Sequence, residues 1–278
     1  MKTLKTAFLL TVLTLLLLFV GEAFGGQRGL TLALIVAVIM NGGAYFFSDK
    51  IALMSSGARP VTREQLPRLY EVMERLAAKA NLPLPKLYMI PQAAPNAFAT
   101  GRNPNHASVA VTQGLMELMD DEELEGVIAH ELSHVRNYDI LTSSIAATIA
   151  GAITWVARMG FWFGGGDDRE RGSGIVGLLM LILAPLGALL LQLGISRQRE
   201  YQADASGAKM VGHPYGLVRA LEKLGSYNKR IPMDISPSTA ALCIVAPLAG
   251  RQLLSSLFST HPPLADRIAR LQNMTITR

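Results

Sequence analysis

His130, Glu131 and His134 stand in the run Val127-Ile128-Ala129-His130-Glu131-Leu132-Ser133-His134, an H-E-x-x-H pattern. On a helix, at about 100° per residue, the two histidines lie about 40° apart on one face, with the glutamate beside them. Two neutral imidazoles one turn apart can grip one zinc ion. A neighbouring carboxylate can take the proton of a water that the metal acidifies. This is the chemistry of a zinc peptidase. Two surface histidines on an amphipathic helix would spell the same motif, so the flanking residues matter. Asp120 is a suitable N-cap, and Glu123 three residues on completes a capping box. Acidic residues fill the first turn, where the helix dipole favours them. Leu124, Val127, Ile128, Leu132 and Val135 form an apolar stripe at helical spacing.

A catalytic zinc needs a third protein ligand and an open position. Glu200 is the best candidate, in Arg199-Glu200-Tyr201-Gln202-Ala203-Asp204. Asp204 lies four residues on, on the same face. It is placed to accept the distal N–H of a ligating histidine and so fix its tautomer. A solvated E-x-x-x-D pair is the plain alternative, and position argues against it. The H-E-x-x-H helix ends just before one long apolar segment, and Glu200 begins just after the next. Two antiparallel spans would return the chain to the same membrane face, so His134 and Glu200 can meet.

Half of the 278 residues are hydrophobic and 17% are charged. That charge content is low for a soluble protein, and the apolar residues cluster in blocks, which points to a membrane protein. The net charge of +5 is spread thinly, with no basic run of the kind that binds nucleic acid. Cys243 is the only cysteine. An intramolecular disulfide is therefore excluded, and Cys243 reads as a small packed apolar residue.

Residues 4–24, 30–47, 140–163 and 175–195 each approach the ~20 apolar residues needed to cross a bilayer. Lys5, Glu22 and Arg158 lie near their ends. Lys2, Lys5 and the following apolar run also resemble a signal peptide, but a second apolar segment follows at once, so the pair reads as a retained helical hairpin. Lys2 and Lys5, then Lys50, Arg59, Arg63 and Arg68, then Arg197 and Arg199 flank the segments on one side. By the positive-inside rule both termini and the soluble portions are cytoplasmic. The layout is two membrane segments in 1–48, a first catalytic portion in 49–139, two further segments in 140–195 and a second catalytic portion in 196–278.

Within the first portion, Thr62 is expected to cap a helix carrying Leu66, Leu69, Tyr70, Met73, Leu76 and Ala77. Lys86–Ile90 reads as a strand. Residues 96–100 and 107–112 read as a hairpin around Gly101-Arg102-Asn103-Pro104-Asn105, with His106 solvated at its edge. Later helical patterns cover 200–211, 215–224 and 263–273, with His213 in a turn and a Pro/Ser loop at 231–238. Residues 240–249 are apolar but too few to span.

The chain resembles the HtpX-type membrane zinc metalloproteases, bacterial relatives of the CaaX prenyl protease. The resemblance runs nearly end to end. It rests on Asn96-Ala97-Phe98-Ala99-Thr100-Gly101, on His130–His134 continuing to Asn137-Tyr138-Asp139, on Arg199–Asp204, and on Ser259-Thr260-His261-Pro262-Pro263 leading to Arg267. It implies a mainly α membrane protein, with four transmembrane helices and a cytoplasmic zincin-type (gluzincin-like) α+β catalytic domain holding a small sheet. It further implies one Zn2+ per chain on His130, His134 and Glu200, with Glu131 as base. Its implied role is ATP-independent quality control in the bacterial inner membrane, on misfolded or unassembled membrane proteins.

The tetrahedral oxyanion needs a second donor besides the metal, and His261 and Arg267 are the candidates. The edge formed by Asn96, Ala97, Phe98, Ala99 and Thr100 could pair with an extended substrate backbone. A metal-holding scaffold without activity would need no Glu131. A dedicated CaaX-type processing enzyme would carry more membrane helices. A transporter would show an ionisable residue in mid-membrane, and none is present.

Overall fold

Gly26 breaks the first element. α1 (Lys2–Ser55) is two helical arms that meet there, where φ is 53° and ψ −143°. Glycine reaches that conformation without a Cβ clash. The arms fold back on each other. Asn41 Nδ2 donates to Thr14 Oγ1 at 2.7 Å, and a Cβ on Gly21 would fall 2.4 Å from that of Ala33. Only small residues allow helices so close. This is the helical hairpin expected of the first two apolar segments. The stretch Gly25–Ser55 is long and apolar enough to cross a membrane, and the first arm contributes the shorter apolar stretch Thr6–Phe19. Leu32, Leu34, Ile35, Val38 and Ile39 face outward, as a lipid-facing surface requires.

The structure is a computed structural model that describes residues 2–150, 196–228, 242–245 and 262–276. The expected third span beyond residue 150, the fourth span, the loop at 231–238 and His261 lie outside the described residues.

After α1 come β1 (Arg59–Pro60), α2 (Pro67–Ala80), β2 (Lys86–Ile90), β3 (Ala97–Gly101), β4 (Ala107–Thr112), α3 (Gln113–Leu118) and α4 (Asp121–Arg136). α5 (Asp139–Ala150) follows, then α6 (Arg197–Val211), α7 (Tyr215–Asn228) and α8 (Leu264–Gln272). The helix that Thr62 was expected to cap begins later than the periodicity suggests. Thr62 opens a turn, accepting from Gln65 and Leu66 N–H, and its own N–H meets Gln65 Oε1. Pro67 disfavours helical backbone at Leu66, which sits at φ −136°. Helix therefore starts at Pro67, where a missing N–H costs nothing.

The sheet runs β1-β2-β4-β3. The expected hairpin is β3 against β4, antiparallel, and β2 joins β4 in parallel. Both faces are covered. Ala97, Ala99, Val109 and Val111 turn toward α2 and α4 in the main core. Phe98 and Ala110 turn the other way, onto Ala52, Leu53 and Cys243. This two-residue alternation places a small side chain, Ala99, over the H-E-x-x-H helix. α5 carries Ile145, Ala146 and Ile149 onto Leu9, Leu13 and Ala44 of the hairpin. The H-E-x-x-H helix is thus joined by one short connection to the helix that packs on the apolar hairpin.

Candidate metal centre

α4 forms as its sequence dictates. Asp120 accepts from Glu123 N–H and Glu123 returns the bond to Asp120 N–H, a complete capping box. Leu124, Val127, Ile128, Leu132 and Val135 are all fully buried, so the helix cannot rotate without exposing its stripe. That locks His130, Glu131 and His134 toward the opposite neighbour, α6. The two helices pack closely because Gly207 has no side chain. A Cβ there would lie 3.0 Å from His130 N.

Glu200, on the first turn of α6, meets the histidines. His130 Nε2 and His134 Nε2 are 3.2 Å apart. Glu200 Oε1 is 3.3 Å from His134 Nε2, and Glu200 Oε2 is 3.7 Å from His130 Nε2. Ligand atoms about 2.0–2.1 Å from a tetrahedral zinc sit about 3.3 Å from one another, so the triangle fits one such ion. The three residues form a group able to hold a metal. The donors, two imidazoles and a carboxylate, suit zinc. The cleft above them is lined also by Ala99, Glu131, Ile140 and Ser143.

Each histidine is backed by its own carboxylate. His130 Nδ1 lies 2.9 Å from Asp204 Oδ1. Arg267 gives Asp204 two bonds, at 2.6 and 2.8 Å. Burial alone would raise the Asp204 carboxyl, but Arg267's charge and bonds, with that of His130, outweigh it and hold it below the usual carboxylate range. On the other side His134 Nδ1 lies 3.6 Å from Asp139 Oδ2, and Arg199 Nε lies 3.3 Å from Asp139 Oδ1. Burial works to lower His134, yet Asp139 and Glu200 together push it up to about 10. The second carboxylate–arginine pair was not anticipated, although Asp139 belongs to the motif that carries the family resemblance. The signal was an aspartate just past the helix end. What aims it is Tyr138, whose φ of 59° reverses the chain so that α5 starts beside α4.

Glu131 is 2% exposed. Burial pushes its carboxyl up, while His130, His134 and the Ala99 N–H pull it back. A carboxyl raised in this way would, as a general base, be better matched to neutral pH. Arg267 is fully buried. Besides Asp204 it donates to the Ile244 carbonyl at 2.7 Å, and its Nη1 lies 3.8 Å from Glu200 Oε2, so its guanidinium stands behind the cluster, between Asp204, Glu200 and the main chain. β3 is the sheet edge, as anticipated for Asn96–Thr100, but all five of its residues are buried.

The pairing of His134 with Asp139 carries a prediction. Asp139→Asn is expected to weaken zinc binding about 10–100-fold, the usual cost of losing a carboxylate behind a ligating histidine. Competition against a chelator of known affinity measures it. Unchanged affinity would mean that Asp139 serves only to start α5.

A model of peptidase family M48 matches residues 63–275. Proteins described as protease HtpX homologs are similar over nearly the whole chain. The one from Desulfatibacillum aliphaticivorans is 56% identical, over 96% of this chain and 88% of that protein. The one from Thermodesulfovibrio yellowstonii is 54% identical over 99% of each. Among solved structures, the crystal structure of S. mikatae Ste24p aligns with a TM-score of 0.52 at 21% identity. That alignment covers 97% of this chain and 64% of the Ste24p chain, less than two thirds of it, and is a likeness of fold. The matched span contains the H-E-x-x-H helix, Glu200 and Arg267, and with them the chain belongs to peptidase family M48, as a zinc metalloprotease.

Proposed function

We propose that this protein is a multi-pass membrane endopeptidase that cleaves misfolded or damaged membrane proteins at the cytoplasmic face of the bacterial inner membrane. The observation that carries this reading is the placement of the His130–His134–Glu200 cluster. The helix bearing its two histidines leads directly into α5, which packs on the apolar hairpin, and Ile140 and Ser143 of α5 line the cleft. Substrate emerging from the bilayer would meet the cluster first. The layout follows the sequence: membrane segments in 1–48 and 140–195, catalytic portions in 49–139 and 196–278, and basic residues on the cytoplasmic side.

His130, His134 and Glu200 would hold one Zn2+, with Asp204 and Asp139 orienting the two imidazoles. When bound, the metal acidifies a water and polarises a peptide carbonyl. Glu131 takes a proton on its carboxylate and delivers it to the leaving nitrogen. Arg267 is placed to act through Asp204 more than on the reacting carbonyl, since two of its bonds hold Asp204 and a third the Ile244 carbonyl, with Glu200 Oε2 3.8 Å from Nη1. His261 is then the candidate for a second oxyanion donor. Asn96, Ala97, Phe98, Ala99 and Thr100 present main-chain groups to an extended substrate, a mode that reads backbone more than side chains.

The test uses the full chain, purified with chelator and reconstituted in liposomes. Added zinc is expected to restore cleavage of a denatured membrane protein and to leave the same protein uncut when folded. Stoichiometric zinc uptake with no cleavage of either form would rule the reading out.

A further inference from the structure

The outer edge of β3 already carries a peptide. Ile244 N–H donates to the Ala97 carbonyl at 3.0 Å. Asn96 Nδ2 donates to the Val245 carbonyl at 2.9 Å, and Arg267 holds the Ile244 carbonyl. Leu242, Cys243 and Ile244 line the same cleft as His130, Glu131 and Glu200. Cys243, Ile244 and Val245 are buried. One main-chain bond to the edge, two side-chain donors on the peptide's own carbonyls and apolar seats are what an added strand would use there.

We propose that Leu242–Val245 is an internal stand-in for substrate, a strap that covers the β3 edge and exchanges places with the polypeptide to be cut. The proposal rests on the peptidase reading above and adds how that site selects its substrates. The Ala97 carbonyl cannot accept the same in-plane hydrogen bond from Ile244 and from a substrate amide. Exchange is nearly balanced only if the incoming chain restores each bond the strap gives up, because a buried polar group left without a partner is costly. An extended segment with its N–H and C=O groups unengaged can do this. A segment in a helix or a completed sheet cannot, since it must first break its own bonds. The strap also leaves apolar seats behind, so the replacing segment should carry apolar residues of the size of valine or isoleucine. The strap thus selects unfolded, apolar stretches without reading a sequence motif.

Cys243 is the only cysteine in the chain and is fully buried in the strap, so it reports displacement directly. The experiment uses full-length, zinc-loaded Glu131→Gln, which holds peptide uncut. Maleimide labelling of Cys243 is timed with and without a saturating cysteine-free, valine-rich extended peptide, whose binding is followed by fluorescence anisotropy. Labelling is expected to accelerate at least tenfold when peptide is bound. As a second arm, Ile244→Pro removes the N–H that occupies Ala97 and should speed labelling with no peptide present, at unchanged zinc stoichiometry. If peptide binds and labelling does not change, the strap is overturned and the peptidase reading stands. If no peptide binds to either form, both are overturned.

Discussion

Glu131→Gln is expected to lower peptide hydrolysis by about 10²–10⁴-fold, the usual contribution of a positioned acid–base group, with zinc stoichiometry unchanged. The substitution keeps the shape of the side chain and removes its charge and its ability to take a proton. Glu131 stands beside the metal cluster and outside it, because the group able to hold the ion is His130, His134 and Glu200. The amide can still accept the Ala99 N–H that now meets the carboxylate, so packing against β3 is preserved. Zinc content by atomic emission and single-turnover cleavage by the same preparation separate the two effects. Loss of zinc together with activity would mean that Glu131 builds the site and is not its base. Equal cleavage by both forms would point to a contaminating protease.

Arg267→Ala has the largest expected effect on stability. The guanidinium is fully buried, gives two bonds to Asp204 and one to the Ile244 carbonyl. Removing one partner of a buried ion pair costs about 3–5 kcal/mol, because the other charge is stranded. Arg267→Lys restores the charge but not the fork, and should recover part of the loss. The informative control is the double replacement Arg267→Met with Asp204→Asn, which removes both charges. Thermal unfolding of the zinc-free protein should show the double variant more stable than Arg267→Ala. Its zinc affinity should stay depressed, because His130 has lost its carboxylate. If zinc affinity returned with stability, the pair would be a structural brace with no bearing on the metal.

How much of this was legible in the sequence differs from element to element. α4 was read in full, with its capping box, acidic first turn and buried stripe, because each of those signals acts over three or four residues of one helix. β2 and the β3–β4 hairpin were read for the same reason. The α2 start was misplaced where two local signals conflicted: Thr62 and Gln65 resemble a helix opening, and Pro67 moves it downstream through the backbone it imposes on Leu66.

By itself the sequence pointed to the candidate metal donors, the candidate base and the apolar hairpin: helical spacing suffices for His130, Glu131 and His134, and position after the apolar segments for Glu200. Asp204 behind a histidine was legible too, from the helix face it shares with Glu200, whereas the tertiary structure alone decided the remaining partners. Asp139 faces His134 only because Tyr138 takes a left-handed backbone. Arg267 reaches Asp204 across 63 residues of sequence, and Asn96 reaches Val245 across 149. No periodicity reports which distant carbonyl or carboxylate a donor will find. That is settled by how α4, α6, α8 and the edge of β3 pack, and by the need of every buried polar group for a partner.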